Sequence, residues 1–189
     1  MAEEEDKPFF IDGHRLPIYQ QLAAYFSNDY SYFRCGLDQQ KGLLIFGGFG
    51  VGKSLMMRLF RVNTLQSFRI VGSRAIRDQY RTTGNYSDYT RAFQNKISAQ
   101  YFGQANIGLC IDDAGAETVV SHYNNTANVI AEIIQDRYER PALRGPMTHI
   151  ITNATTNELR EAYGPRVYSR LRQLFNIIAF DETATDLRE

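Results

Sequence analysis

Residues 47–54 read Gly47-Gly48-Phe49-Gly50-Val51-Gly52-Lys53-Ser54, the G-x-x-x-x-G-K-[ST] pattern of a phosphate-binding loop. That pattern works only between a strand and a helix, so it constrains the fold more than any other stretch. The flanks agree. Leu43-Leu44-Ile45-Phe46 is a short apolar run suited to a buried strand, and Ser54 to Phe60 has the composition of a helix start. Glycines let the backbone turn tightly with its N–H groups aimed inward, and the helix N-terminus favours an anion. The loop and first turn, Gly48, Phe49, Gly50, Val51, Gly52, Lys53, Ser54 and Leu55, are the expected nucleotide-binding residues. Lys53 is expected to reach the β- and γ-phosphates, and Ser54 to set its hydroxyl on Mg²⁺.

Apolar runs and helical periodicities alternate along the rest of the chain. Expected strands lie at about 42–46, 68–72, 107–111, 147–152 and 176–180. Helices are expected at 18–33, from the P-loop to about 66, from Ser73 as cap through Tyr80, at 126–140, from Asn157 to about 164, and at 166–174. Several strands are apolar on both faces, which predicts a parallel sheet covered by helices on both sides. At 189 residues the chain fits one domain, divided as a helical lead-in over 1–40 and a nucleotide-binding core over 41–189. The first helix is rich in Tyr and Phe, which leaves adenine stacking and plain packing both open.

A second signal is Leu109-Cys110-Ile111-Asp112-Asp113, an apolar strand ending in two carboxylates. A strand-end carboxylate opposite a P-loop can hold Mg²⁺, and its neighbour can orient or deprotonate water. Asp112 is assigned to the metal and Asp113 to the water, with Glu117 a second candidate for the latter role. Asn153 follows the fourth expected strand. Its amide holds the attacking water or senses the γ-phosphate, or else the residue simply serves a turn or caps the next helix.

Lys and Arg total 21, as do Asp and Glu, so no overall basic signature for nucleic acid exists. The balance is uneven, however. Residues 58–96 are basic and interleaved with aromatics, and 97–139 are acidic. The basic stretch is either a path for single-stranded DNA or a solvated helix face. Cys35 and Cys110 lack metal-ligand spacing, and Cys110 reads as a core residue. His14, His122 and His149 form no catalytic set, and His149 is expected to pack within a strand. The acidic start is not a signal peptide and no apolar run approaches a membrane span, so the expectation is a cytoplasmic protein without membrane contact.

Five pieces together resemble the AAA+ ATPases, and within them the replicative helicase loaders of the DnaC/DnaI type and the IstB-like transposition helpers. They are GGFGVGKS (47–54), FRIVGSRAI (68–76), LCIDDAGAE (109–117), HIITNATTNEL (149–159) and YGPRVYSRLRQL (163–174). The resemblance implies a five-stranded parallel sheet ordered 5-1-4-3-2, ATP and Mg²⁺ as cofactors, Asn153 as the sensor, and Arg170 as a finger given to a neighbouring copy. It implies self-assembly and a role in DNA replication or a mobile element, with a replicative helicase or a transposase as partner and single-stranded DNA as a further ligand. It also leaves open a nucleotide-gated interaction module with little hydrolysis. Two departures are expected: no room for the loaders' helicase-gripping N-terminal region, and a reduced or absent C-terminal lid, with Arg188 as a tail cation near the nucleotide.

Overall fold

The computed structural model describes residues 11–29, 36–94, 100–117, 120–122, 125–140, 147–181 and 187. The central sheet is built from β1 (Gly42–Phe46), β2 (Phe68–Gly72), β4 (Asn106–Ala114), β7 (Thr148–Thr152) and β8 (Phe175–Ala179), all parallel, in the order β2-β4-β7-β1-β8. Counting only these five, the order is the expected 5-1-4-3-2. The sheet differs from expectation by a short sixth strand, β3 (Phe93–Gln94), which pairs antiparallel with β4. A separate two-stranded hairpin, β5 (Val120–His122) and β6 (Asn125–Ala127), stands apart from it.

Side-chain alternation along the strands divides the core in two. Leu44, Phe46, Leu109, Ile111 and Ile150 face one side, against α3 (Ser73–Thr83), α5 (Val129–Glu139) and α6 (Thr156–Leu174). Leu43, Ile45, Phe68, Cys110, Ile151 and Ile178 face the other, against α1 (Leu16–Ser27) and α2 (Lys53–Phe60). Strands β1 and β7 are buried along their whole length, as a sheet covered on both faces requires. Truncating an interior residue such as Ile45 to Ala would cost about 2–5 kcal/mol.

The first helix resolves its open question in favour of packing. Ile18, Leu22, Tyr25 and Phe26 are all buried, and Phe26 stacks on Phe60 and Phe68. The helix ends at Ser27, earlier than expected, and residues 30–33 of the expected span lie outside the described residues. Two other boundaries shift for identifiable reasons. Residues 125–127 form β6, so the following helix opens at Val129, where the Asn128 side chain accepts from the Ala131 N–H. Ser73 does not cap α3: it is the first helical residue, and its hydroxyl donates to the Asp113 carbonyl at 2.7 Å. A short helix, α4 (Ser87–Thr90), precedes β3. His149 and Cys110 are wholly buried, as expected.

Candidate nucleotide site

The site lies at the carboxyl ends of the parallel strands. The chain leaves β1 at Phe46, turns through the glycine-rich loop and enters α2 at Lys53. Gly52 is the position where glycine is required: its φ is +95°, and an added Cβ would stand 2.9 Å from Leu187 Cδ1. Lys53 is buried. Its ammonium donates to the carbonyls of Gly47 (2.8 Å) and Gly48 (2.6 Å) and to Asn153 Oδ1 (2.6 Å). Ser54 Oγ donates to Asp112 Oδ1 at 2.9 Å.

The carboxylate pair sits in a β-bulge, where the β4–β7 register shifts between Ile111 and Ala114. The bulge puts Asp113 at φ +59°, a left-handed conformation that Asp tolerates better than most residues. Three bonds hold it there. Ser73 and the Ala116 N–H donate to its carbonyl, and Asn153 Nδ2 donates to its carboxylate at 2.7 Å. Thus Lys53, Asn153 and Asp113 form a continuous polar chain, with Ser54 and Asp112 beside it. These residues line a cleft of about 650 Å³ together with Phe49, Gly50, Leu55 and Arg58. Ser54 and Asp112 present two hard oxygen donors side by side, which suits Mg²⁺ when phosphate and water supply the remaining ligands. Among the described residues no group of three or more His, Cys, Asp or Glu gathers as a protein-only metal cage.

Asn153 faces this cleft rather than serving as a cap. The cap of α6 is Thr155, in a reciprocal box with Glu158. Glu117 goes elsewhere. It is buried, its Oε2 accepts from the Gly115 N–H at 2.9 Å and its Oε1 from the Tyr163 hydroxyl at 2.7 Å. Burial, and then the nearby Glu117 charge, push the Tyr163 hydroxyl well above its ordinary pKa, so it stays a donor. The described residues lining the cleft include Asp113 but neither Glu117 nor Arg170.

Arg170 lies half-buried against α5. Its guanidinium carbon is 4.1 Å from the centre of the Tyr138 ring and its Nη1 donates to the Tyr138 hydroxyl at 3.1 Å. Arg166 pairs with Glu139 at 3.2 Å. Arg188 lies outside the described residues.

Two contacts on the P-loop have no sequence signal. Arg15, buried and paired with Asp12, donates from Nε to the Val51 carbonyl at 3.0 Å. From the far end of the chain, the Leu187 N–H donates to the Gly50 carbonyl at 3.0 Å. Both join residues remote in sequence, which no local pattern encodes.

Within the basic stretch, Arg69 is spent internally. It lies over the Tyr89 and Phe93 rings at 5.0 and 4.4 Å and donates to the Asp88 carbonyl, and burial lowers its pKa. Arg74 and Arg81 are exposed, while Arg77 pairs with Asp78 at 2.7 Å. No helix among the described residues is long and apolar enough to cross a membrane.

No family model matches the chain, and no curated protein matches it. Solved structures do. The DnaC helicase loader superposes with a TM-score of 0.60 at 16% identity, over 93% of this chain and 95% of that one. DnaI gives 0.58 at 21%, over 92% and 88%. AMPPCP-bound DnaA from Aquifex aeolicus gives 0.56 at 12%, over 92% of this chain but 48% of DnaA. At these identities the likeness is one of fold. With its strand order, the chain therefore shares the fold of the DnaC helicase loader and of DnaI, a parallel sheet flanked by helices.

Proposed function

We propose that the cleft binds Mg·ATP and that the chain hydrolyses it slowly, in assemblies where each copy completes its neighbour's site. The observation that carries this reading is the convergence of Lys53, Ser54, Asp112, Asp113 and Asn153 on one cleft from separate elements. Bound Mg·ATP would supply the phosphoanhydride to be cleaved and a divalent charge over its phosphates. The loop residues 48–52 offer backbone N–H groups to the phosphates, and Lys53 exchanges its carbonyl partners for them. Ser54 and Asp112 hold the cation. Asp113 accepts a hydrogen bond or proton from water, and Asn153, tied to both Asp113 and Lys53, sets where that water stands. Arg170 is not among the residues lining its own cleft, which fits a residue that serves the next copy.

In biological role, the fold and the loader-like motifs support an ATPase of DNA replication or of a mobile element, acting on a replicative helicase or, in the IstB-like alternative, beside a transposase. Single-stranded DNA is a proposed further ligand of the exposed arginines on α3. A second reading, a nucleotide-gated assembly module with little turnover, draws on the Lys53 contacts: its ammonium is already bonded to Gly47, Gly48 and Asn153, so phosphate must displace these bonds.

The test measures binding of a fluorescent ATP analogue with and without Mg²⁺, turnover with and without single-stranded DNA, and size with and without ATP. Wild type should bind in a Mg²⁺-dependent way and turn over. Lys53→Ala should lose at least about 100-fold in turnover. Normal hydrolysis by a folded Lys53→Ala protein would overturn the assignment, and ATP-driven assembly without turnover would favour the module.

A further inference from the structure

The end of α5 and the second half of α6 meet through a small polar cluster outside the cleft. Tyr138, on α5, donates its hydroxyl hydrogen to Gln173 Oε1 at 2.8 Å and accepts from Arg170 Nη1 at 3.1 Å. Its ring also lies 4.1 Å beneath the Arg170 guanidinium carbon. The phenol therefore touches α6 at two positions three residues apart, which fall on one face of the helix. One turn earlier, Arg166 reaches Glu139, the residue after Tyr138. Arg170 Nε is buried and has no hydrogen-bond partner among the described residues.

This is costly packing for a surface arginine. A free arginine explores many rotamers and keeps every N–H hydrated; here one face is stacked, one N–H bonded and another desolvated. The arrangement fixes the guanidinium plane. An arginine that must meet a planar, multiply charged oxygen cluster gains rate from such fixing, because less freedom is lost in reaching the reacting geometry.

We infer that Tyr138 is a positioning residue for Arg170, holding the finger in the orientation it presents to a neighbouring copy's nucleotide. The inference rests on the reading that Arg170 acts in trans. Gln173 fixes the hydroxyl so that its lone pair faces Arg170, and the ring sets the guanidinium tilt.

The experiment assigns the two roles to different chains. A Lys53→Ala chain donates Arg170 but cannot use its own cleft, and an Arg170→Ala chain has an intact cleft but no finger. Mixed, they should show turnover above the sum of the separate chains. Absence of that gain, at concentrations where wild type assembles, overturns the trans reading and the role of Tyr138 with it.

Given the gain, Tyr138→Leu is placed in one chain at a time. In the finger-donating chain it should lower kcat of the mixture roughly tenfold, with KM for ATP unchanged. In the receiving chain, where Arg170 is already absent, it should cost less than about twofold. Tyr138→Phe in the donor keeps the ring and loses the hydroxyl, so its loss should fall between those of wild type and Leu. It also guards against a Leu variant that does not fold. Equal losses on the two sides would mark Tyr138 as a packing residue alone, and no loss with a folded Tyr138→Leu donor would leave it no part in placing Arg170. Either result overturns the inference while the complementation of the parent chains leaves the trans reading standing.

Discussion

Asp113 holds a φ of +59° only because Ser73, Ala116 and Asn153 all bond to it. A left-handed non-glycine residue costs roughly 1–3 kcal/mol, and such outliers gather at sites where a side chain must be aimed. Asp113→Asn keeps an oxygen for Asn153 to bond, so the fold should survive; turnover should fall about 10²–10⁴-fold while nucleotide binding persists. Glu117→Gln should do the reverse. It leaves one of two buried donors, the Gly115 N–H or the Tyr163 hydroxyl, without its carboxylate acceptor, lowering stability by about 1–2 kcal/mol with little loss of turnover in the folded protein. Steady-state assays beside thermal melts separate the two, and a Glu117→Gln enzyme that folds but does not turn over would reverse the assignment. At a third residue the readout is pH. His149 is wholly buried among Tyr25, Phe26 and Phe68, and its Nδ1 accepts from the Leu43 N–H at 3.2 Å. Burial, helped by the Arg137 charge, lowers its pKa from 6.5 to about 3. Between those values the unfolded chain binds the proton and the folded one does not. His149 therefore contributes stability above its unfolded pKa that is lost as pH falls, at up to about 1.4 kcal/mol per unit. Urea unfolding from pH 7 to 5 should show this slope. His149→Leu should flatten it while starting lower, since Leu43 loses its acceptor.

At the scale of elements, α6 is two helices joined at Gly164, whose φ of 79° and ψ of 161° belong to a region open essentially to glycine alone. A Cβ there would meet nothing within 4 Å, so the constraint is conformational rather than steric crowding. Gly164→Ala should cost about 1–3 kcal/mol and re-aim the half-helix carrying Arg170, weakening complementation more than it weakens nucleotide binding; equal effects on both would argue against a directional role for the kink. This break was legible in the sequence because Gly-Pro is a strong local signal: proline opens a helix but disfavours a helical residue before it. The strands of the sheet were legible for a similar reason, since doubly buried strands are apolar throughout, and the P-loop and Asp112-Asp113 announce themselves by composition. The Ser73 cap and the start of α5 were misjudged because tertiary partners decided them: the Asp113 carbonyl claims Ser73, and the β5–β6 pairing claims residues 125–127. β3 is two residues long and exists only by pairing with β4, so no periodicity could show it. The internal use of Arg69 and the stacking of Arg170 on Tyr138 likewise depend on residues distant in sequence.

For the whole molecule, the uneven charge of the sequence becomes a narrower surface. Arg69 is spent on rings and Arg77 is paired with Asp78, while Arg74 and Arg81 of α3 are exposed, as are Arg58, Arg61 and Arg91 outside it; the α3 pair is the part of this surface taken for the test. If single-stranded DNA binds there, affinity should fall steeply with salt. Each of Arg74→Ala and Arg81→Ala should then reduce the log–log salt slope by about 0.7, measured by fluorescence anisotropy with ATP present. Absence of binding at low salt would leave α3 an ordinary solvated face. The molecule also brings distant parts of its chain to one small loop. Arg15 and Leu187 both bond to P-loop carbonyls, at Val51 and Gly50, from opposite flanks of the sequence. Whatever is fused, tagged or labelled near residue 187 therefore lies within touching distance of the nucleotide loop. A dye attached there would change its emission when the loop fills, and a bulky purification handle at the same place would compete with the ligand, so affinities should be compared between chains tagged at residue 187 and chains left bare.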